Sequence, residues 1–237
     1  MSGKPKIVII GGGFGGLWAA KALANTPVEV TLIDRKNHHV FQPLLYQVAT
    51  AVLSPGEIAQ PIRRILAKAK NTEVILGEAV GIDKENSAVI LNDGARVGYD
   101  YLIIAAGARH AYFGHDDWET AAPGLKTLED AVEIRRRVLL AFELAERDAY
   151  LTGEQRQLNF VVVGGGPTGV ELAGAIADIA RMALANDFKA IDTRKTKVIL
   201  FEGSGRVLGT FAEELSISAK RQLEQIGYGR ERPPLGI

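Results

Sequence analysis

Two glycine-rich stretches carry the first chemistry that can be read from this chain. Residues 7–20 read IVIIGGGFGGLWAA, and residues 160–174 read FVVVGGGPTGVELAG. Each holds the frame Gly-x-Gly-x-x-Gly: Gly11, Gly13 and Gly16 in the first, Gly164, Gly166 and Gly169 in the second. In such a frame the first glycine permits a tight turn from strand to helix. The second lets a pyrophosphate approach the backbone without meeting a Cβ, and the third lets helix and strand pack closely. The following helix aims its free N–H groups and partial positive end at the phosphates. Each frame also has an acid downstream that could accept ribose hydroxyls. Asp34 lies 18 residues past Gly16 (34 − 16), near the ~20 usual for this role. Glu202 lies 33 past Gly169 (202 − 169), a gap that a long helix and the loop NDFKAIDTRKT explain. An acid at a strand end accepts a free 2′-hydroxyl and repels a 2′-phosphate, so Glu202 points to NADH over NADPH.

The bare pattern is weak. With 26 glycines in 237 residues, roughly 0.3 chance matches are expected. Context carries the argument, because each match sits between a β-branched strand and an Ala-rich helix. Lys6–Ile10 reads as a buried strand, 14–25 as a helix, and 28–33 as the next strand, ending at Asp34. That is a βαβ unit of the expected size. Residues 158–163, 168–186 and 197–201 repeat the plan as strand, helix and strand. Between the two units, 58–67 reads as a helix. Short strands follow at 73–76, 88–91 and 101–105, with an NDG turn at 92–94. Residues 128–148 and 213–226 read as amphipathic helices, and AAPGLKT at 121–127 as a boundary. Trp18 reads as a core residue of the first helix, and Arg206 as a solvated loop charge.

Composition narrows the chemistry. The formal net charge is zero, which does not favour nucleic acid or an anionic membrane. The chain has no cysteine, which excludes disulfides, thiolate zinc sites and electron transfer through a dithiol. His38 and His39 have no further ligand at a metal-binding spacing, so no metal site is expected. Loop packing or contacts near a cofactor suit the pair better. The apolar run in MSGKPKIVII is too short for a signal peptide, and no run approaches the ~18 apolar residues of a spanning helix. Two dinucleotide loops in one chain imply two dinucleotides. One of FAD and one of NADH would make a hydride-transfer flavoenzyme, with one loop holding the electron donor and the other the first acceptor.

Four passages carry a family resemblance: IVIIGGGFGGL, DRKNHHVFQPLLYQVATAVLSPGEIAQPIR, YDYLIIAAGA and VVVGGGPTGVELAG. Together with ADIARMALANDFKAID and FEGSGRVL, they resemble the type II NADH:quinone oxidoreductases, single-subunit flavoenzymes that do not pump protons. The resemblance runs from residue 5 to about 227. It implies an α/β fold of two nested Rossmann-like units: an FAD domain over 1–122 and an NADH domain over 123–227, both incomplete at the C-terminus. It also implies that Gly11, Gly12, Gly13, Phe14, Gly15 and Gly16 cradle the FAD pyrophosphate, with Asp34 at the adenosine ribose and Arg35 among the cofactor-binding residues. Val80 would lie against the adenine, Gln42 to Gln47 would line the flavin, and Ala106 and Gly107 would lie close to FAD at a crossing between domains. Gly164, Gly166, Pro167, Thr168, Gly169 and Glu202 would hold NADH.

Glu171, read as lying in the first turn of the second nucleotide helix, has two readings. An acid there suits the helix dipole, or, as the resemblance implies, it handles hydride or proton transfer between nicotinamide and flavin. The acceptor would be a quinone. The enzyme would be peripheral to the cytoplasmic face of the cell membrane through a docking segment absent here, and a homodimer is compatible. Two alternatives stay open: a non-catalytic nucleotide-binding fragment, and an NADH-dependent flavoprotein that reduces a protein acceptor. The last residues, YGRERPPLGI at 228–237, carry two prolines and three charges where a strand is expected. They read as an atypical tail, as from a truncated or frame-shifted reading frame, and imply weak FAD binding and little quinone reduction by this chain alone.

Overall fold

The structure is a computed structural model, and it describes residues 3–227. The atypical tail at 228–237 lies outside the described residues. In chain order the elements are β1 (Lys6–Ile10), α1 (Phe14–Leu23), β2 (Glu29–Asp34), β3 (His38–Val40), α2 (Leu45–Ala49), α3 (Pro55–Ile58), β4 (Ala59–Pro61) and α4 (Ile62–Ile65). β5 (Thr72–Leu76), β6 (Ala79–Asp83), β7 (Ala88–Leu91), β8 (Arg96–Gly98) and β9 (Tyr101–Ile104) follow. The remainder is α5 (Leu128–Thr152), β10 (Asn159–Val163), α6 (Pro167–Asp178), β11 (Lys197–Phe201) and α7 (Glu213–Gly227). They fall into two compact units, residues 3–41 with Gly56–His110, and Gln42–Pro55 with residues 111–227. The junction at 110/111 precedes the AAPGLKT stretch, and the Gln42–Pro55 excursion joins the second unit.

The first unit is built on a parallel sheet of order β5-β2-β1-β9. Its central strands are nearly continuous runs of Ile, Val and Leu, because both faces are covered. One face packs Ile7, Ile9, Val30 and Leu32 against Leu17 and Ala20 of α1 and against Ile62 and Leu66. The other packs Val8 and Ile33 against Val89 and Leu91, which lie on β7 of the antiparallel meander β6-β7-β8. Strands β6 and β8 escape the sequence reading because AVGID and RVG are short, Gly-containing and without strict alternation. The helix expected over 58–67 is interrupted. The residue before a proline is biased to extended backbone, and residues 59–61 form β4, pairing antiparallel with β3 (His39 opposite Gln60). A short helix restarts at Ile62.

The second unit has β10 and β11 as a parallel pair, Asn159 opposite Lys197 through Val163 opposite Phe201. Helix α5 starts at a capping box. Thr127 Oγ1 accepts from the Asp130 amide at 3.2 Å, and Asp130 Oδ2 accepts from the Thr127 amide at 2.8 Å. It ends at Gly153, in left-handed conformation. Phe142 of α5 is fully buried between the rings of Phe160 and Phe188. Helix α6 does not run on to Asn186 as one α-helix. It passes at Ile179 into a single π-turn ending at Ala183, and a 3-10 turn at Thr193–Lys195 leads into β11. Glu146 of α5 fastens the intervening loop by accepting from the amides of Lys189, Ala190 and Ile191 at 2.9–3.0 Å. These amides, Ala190 foremost and then Lys189, hold its carboxyl below its ordinary range. On the sheet itself Val161, Val163 and Phe201 remain exposed.

Candidate functional site

Each glycine frame closes the turn from a strand to a helix, and steric limits decide which residues it admits. In the first, Gly11 has φ +101°, and an added Cβ would lie 2.3 Å from the Ala105 carbonyl oxygen and 3.3 Å from the Ala106 Cα. A Cβ on Gly16 would lie 1.8 Å from the Gly11 carbonyl oxygen. Gly12 is buried, and a Cβ there would meet Ile62 Cδ1 at 2.4 Å. Gly13, the N-cap of α1, is different: it is exposed, and nothing lies within 4 Å of an added Cβ. No side chain caps α1 at this end, so its first-turn amides stay available to an anion. Asp34, at the end of β2, accepts from the Gly12 amide through Oδ2 at 2.5 Å and from the Lys36 amide through Oδ1 at 2.6 Å.

The second frame repeats this geometry. Gly164 has φ +104°, and a Cβ on Gly169 would lie 1.8 Å from the Gly164 carbonyl oxygen. Gly166 is exposed with nothing within 4 Å of an added Cβ, while Gly165 is buried and would meet the Glu202 side chain at 2.9 Å. Pro167 and Thr168 open α6, with no side-chain cap. Glu202, just past β11, accepts from the Gly165 amide at 2.6 Å and from the Ser204 amide at 2.6 Å. The Ser204 amide, then that of Gly165, holds its carboxyl below the ordinary range. Even the strand ties match: the amides of Gly11 and Gly164 donate to Ile33 and Phe201, the residues before each acid, both at 2.8 Å. An open second glycine, uncapped amides and an acid at the strand end fit the pyrophosphate and ribose of a dinucleotide in both places.

Around the first cradle, His39 Nδ1 lies 3.1 Å from the Gly12 carbonyl oxygen. Its ring meets Phe14 edge-on at 5.0 Å, and Phe14 meets Phe41 at 5.6 Å. Arg35 and Arg109 approach Glu78 at 3.9 and 4.0 Å. Val80 is exposed, and Gly107 turns with φ +73° beyond β9. Trp18 is not core. It is 66% exposed, with Lys21 Nζ 5.3 Å from its ring centroid. The face of α1 that packs holds Gly16, Leu17 and Ala20, one step round the helix from Trp18. Among the described residues no cluster of His, Cys, Asp and Glu could hold a metal ion, and no helix is long and apolar enough to cross a membrane.

Around the second cradle, Arg206 is an exposed loop charge, as its sequence context suggests, and it also ties the loop together. Its Nη2 donates to the carbonyls of Gly209 and Phe211 at 2.9 and 3.2 Å, stapling the loop after Glu202. Within that loop the Leu208 amide donates to the Gly165 carbonyl at 2.6 Å. Glu171 is not in the first turn of α6; the helix begins at Pro167, so Glu171 is its fifth residue. The helix-dipole account therefore loses its basis, since that effect is confined to the first turn. Glu171 instead lines a groove of about 470 Å³ with Tyr46, Val170, Asp178, Leu208 and Phe211. The residue keeps solvent contact, yet partial burial raises its carboxyl above the ordinary value. In the segment 42–47, expected to line the flavin, Gln42 is exposed in a 3-10 turn, and Gln47 Nε2 donates to the Tyr46 hydroxyl at 3.1 Å.

The pinning of Gly12 and Gly165 was not readable from sequence. His39 gave a hint only through its proximity to the loop's βαβ unit, and Leu208 gave none.

Two such cradles, each on its own βαβ unit, make a fold suited to two dinucleotides. Residues 5–227 match the model of the pyridine nucleotide-disulphide oxidoreductases, and the chain belongs to that family. It departs from the family's name in having no cysteine. It is 47% identical over 95% of its length to the type II NADH:quinone oxidoreductase NdhA of Mycobacterium tuberculosis, and 46% identical over 94% to Ndh of the same organism. The chain spans about half of these curated relatives, 49% of each. Among solved structures, the Plasmodium falciparum NDH2 complex with NADH aligns over 94% of this chain and 47% of its own, with a TM-score of 0.80 and 28% identity.

Proposed function

We propose that this chain belongs to an NADH:quinone oxidoreductase in which the first unit carries FAD and the second NADH. The net reaction is NADH + H⁺ + quinone → NAD⁺ + quinol, with no proton pumped. When bound, FAD supplies the redox chemistry, taking the hydride equivalent from NADH and releasing the electrons to the acceptor. The remaining work falls to the protein. Uncapped amides at Gly13 and at Gly166 neutralise the two pyrophosphates. Asp34 and Glu202 keep free acceptor lone pairs after fastening their loops, and these take the ribose hydroxyls. Glu202, held ionised by the Ser204 and Gly165 amides, disfavours a 2′-phosphate. Glu171 is the candidate proton-handling group, because burial favours its protonated form. The chain has no thiol, so no dithiol of its own would relay electrons between a bound flavin and a small acceptor. A quinone acceptor is apolar and places the enzyme at a membrane surface, on its cytoplasmic side.

One observation carries this reading: the same turn, with its acid fastened to the buried glycine, is built twice in a single chain. The relatives' names favour NADH and quinone as the substrates. The test is to titrate the purified protein with FAD, then add NADH under anaerobic conditions. Weak flavin binding followed by partial bleaching of its absorbance, slowly reversed by a short-chain quinone, is the expected result. Binding of one nucleotide only, or bleaching that a quinone does not reverse, would overturn it.

A further inference from the structure

Gly12 is held on three sides. Asp34 takes its amide, Ile62 fills the space beside its Cα, and His39 Nδ1 sits 3.1 Å from its carbonyl oxygen. A carbonyl oxygen has no proton to give, so the imidazole must be the donor, and Nδ1 must carry hydrogen. The Gly12 carbonyl and the Gly13 N–H belong to one planar peptide unit. Whatever fixes the carbonyl therefore fixes the direction of the Gly13 N–H. Gly13 is the exposed glycine with open space above it. We propose that His39 is a positioning residue of the first cradle, aiming the Gly13 amide at the FAD pyrophosphate by holding the Gly12 carbonyl.

The second cradle shows that the task is general. There the Gly165 carbonyl accepts from the Leu208 backbone amide at 2.6 Å, and this fixes the peptide that presents the Gly166 N–H. One loop uses a side chain and the other a main-chain group for the same purpose. The placement of His39 is itself built. It lies on β3, whose pairing with β4 sets its height, and its ring stands edge-on to Phe14, the first residue of α1, at an interplanar angle of 86°. Ring, helix start and glycine turn are thus mutually registered.

This inference rests on reading the first cradle as the FAD site. The test compares FAD affinity, by quenching of flavin fluorescence, in the wild-type chain and in H39A, H39N and H39Q. Loss of one neutral hydrogen bond weakens binding about fivefold to tenfold, expected in H39A. Asparagine places its amide nitrogen near the Nδ1 position, so H39N should return to within about twofold of wild type. Glutamine reaches to the Nε2 position instead, and H39Q should stay weak. NADH affinity, which reads the second cradle, should not change in any of them. A second measurement needs no FAD: nitrogen-15 spectra of the neutral His39 imidazole should show the proton on Nδ1. Equal FAD affinity in all four proteins, or a proton on Nε2, would overturn the role of His39. A wild-type chain that takes up no FAD would instead overturn the functional reading, and with it this inference.

Discussion

The two cradles solve one problem with different parts. Both need a first glycine at positive φ, a third glycine where an added Cβ would lie 1.8 Å from a carbonyl oxygen, and a buried glycine tied by its amide to an acid. They differ in what lies behind that buried glycine. The first leans on Ile62 and a histidine side chain; the second leans on Glu202 itself and a loop amide stapled by Arg206. The shared features follow from sterics and recur wherever a chain makes this turn. The differing features depend on what each unit happens to fold against the loop. The comparison separates what dinucleotide binding demands from what it merely uses.

Breaking the shared features should have the largest effect. Gly16→Ala and Gly169→Ala each drive a Cβ into backbone, which cannot swing aside, so the strand-to-helix turn must shift. Each should cost about 1–3 kcal/mol of stability by overpacking, seen in thermal melts. Calorimetric titration should show binding lost at the altered cradle only. Next in size is the acid of the second cradle. Glu202→Gln keeps a hydrogen-bonding oxygen but removes the charge, and NADH affinity should fall roughly tenfold while NADPH improves. Competition between the two nucleotides measures it. The wild-type carboxyl is depressed in the folded state, so its stabilising effect is present above the ordinary value of 4.5 and is lost as pH falls through the lower folded value. Acid unfolding of E202Q should lack that component.

Glu171 shifts the other way, and its sign is reversed. Its folded value lies above the ordinary 4.5, so its contribution is present below 4.5 and is lost as pH rises through the folded value. E171Q should therefore melt slightly above wild type at neutral pH and match it in acid. An equal offset at both pH values would show that the groove does not desolvate the carboxyl. The smallest effect is expected at Trp18. With 66% of it exposed, Trp18→Ser should change stability by no more than about 0.5 kcal/mol, whereas a core tryptophan would cost several times that. Chemical denaturation decides between them.

The legible and illegible parts of this molecule divide by range. The turns at Gly11 and Gly164, the strands beside them and the acids at 34 and 202 could be read because β-branched runs, glycine spacing and helix starts are local. Trp18 was misplaced because helical spacing leaves the apolar face uncertain by one position, and the deciding partners, Ile62 and Leu66, come from 44 or more residues on (62 − 18). Glu171 was assigned to the first turn because the helix was read from residue 168; with Pro167 inside it, Glu171 falls one position later, past the first turn. The hold of His39 on Gly12 spans 27 residues and requires β3 to pair with β4, which no short pattern announces.

In the proposed function each strand-end carboxylate has two jobs, and this affects how mutants must be interpreted. Asp34 and Glu202 fasten their own turns before any sugar arrives. Replacing either with alanine would loosen the phosphate-facing amides together with the hydroxyl contact, so the measured loss would overstate how much recognition of the sugar is worth. Comparing ligands with and without the ribose hydroxyl on the unaltered protein is the cleaner way to separate the two contributions.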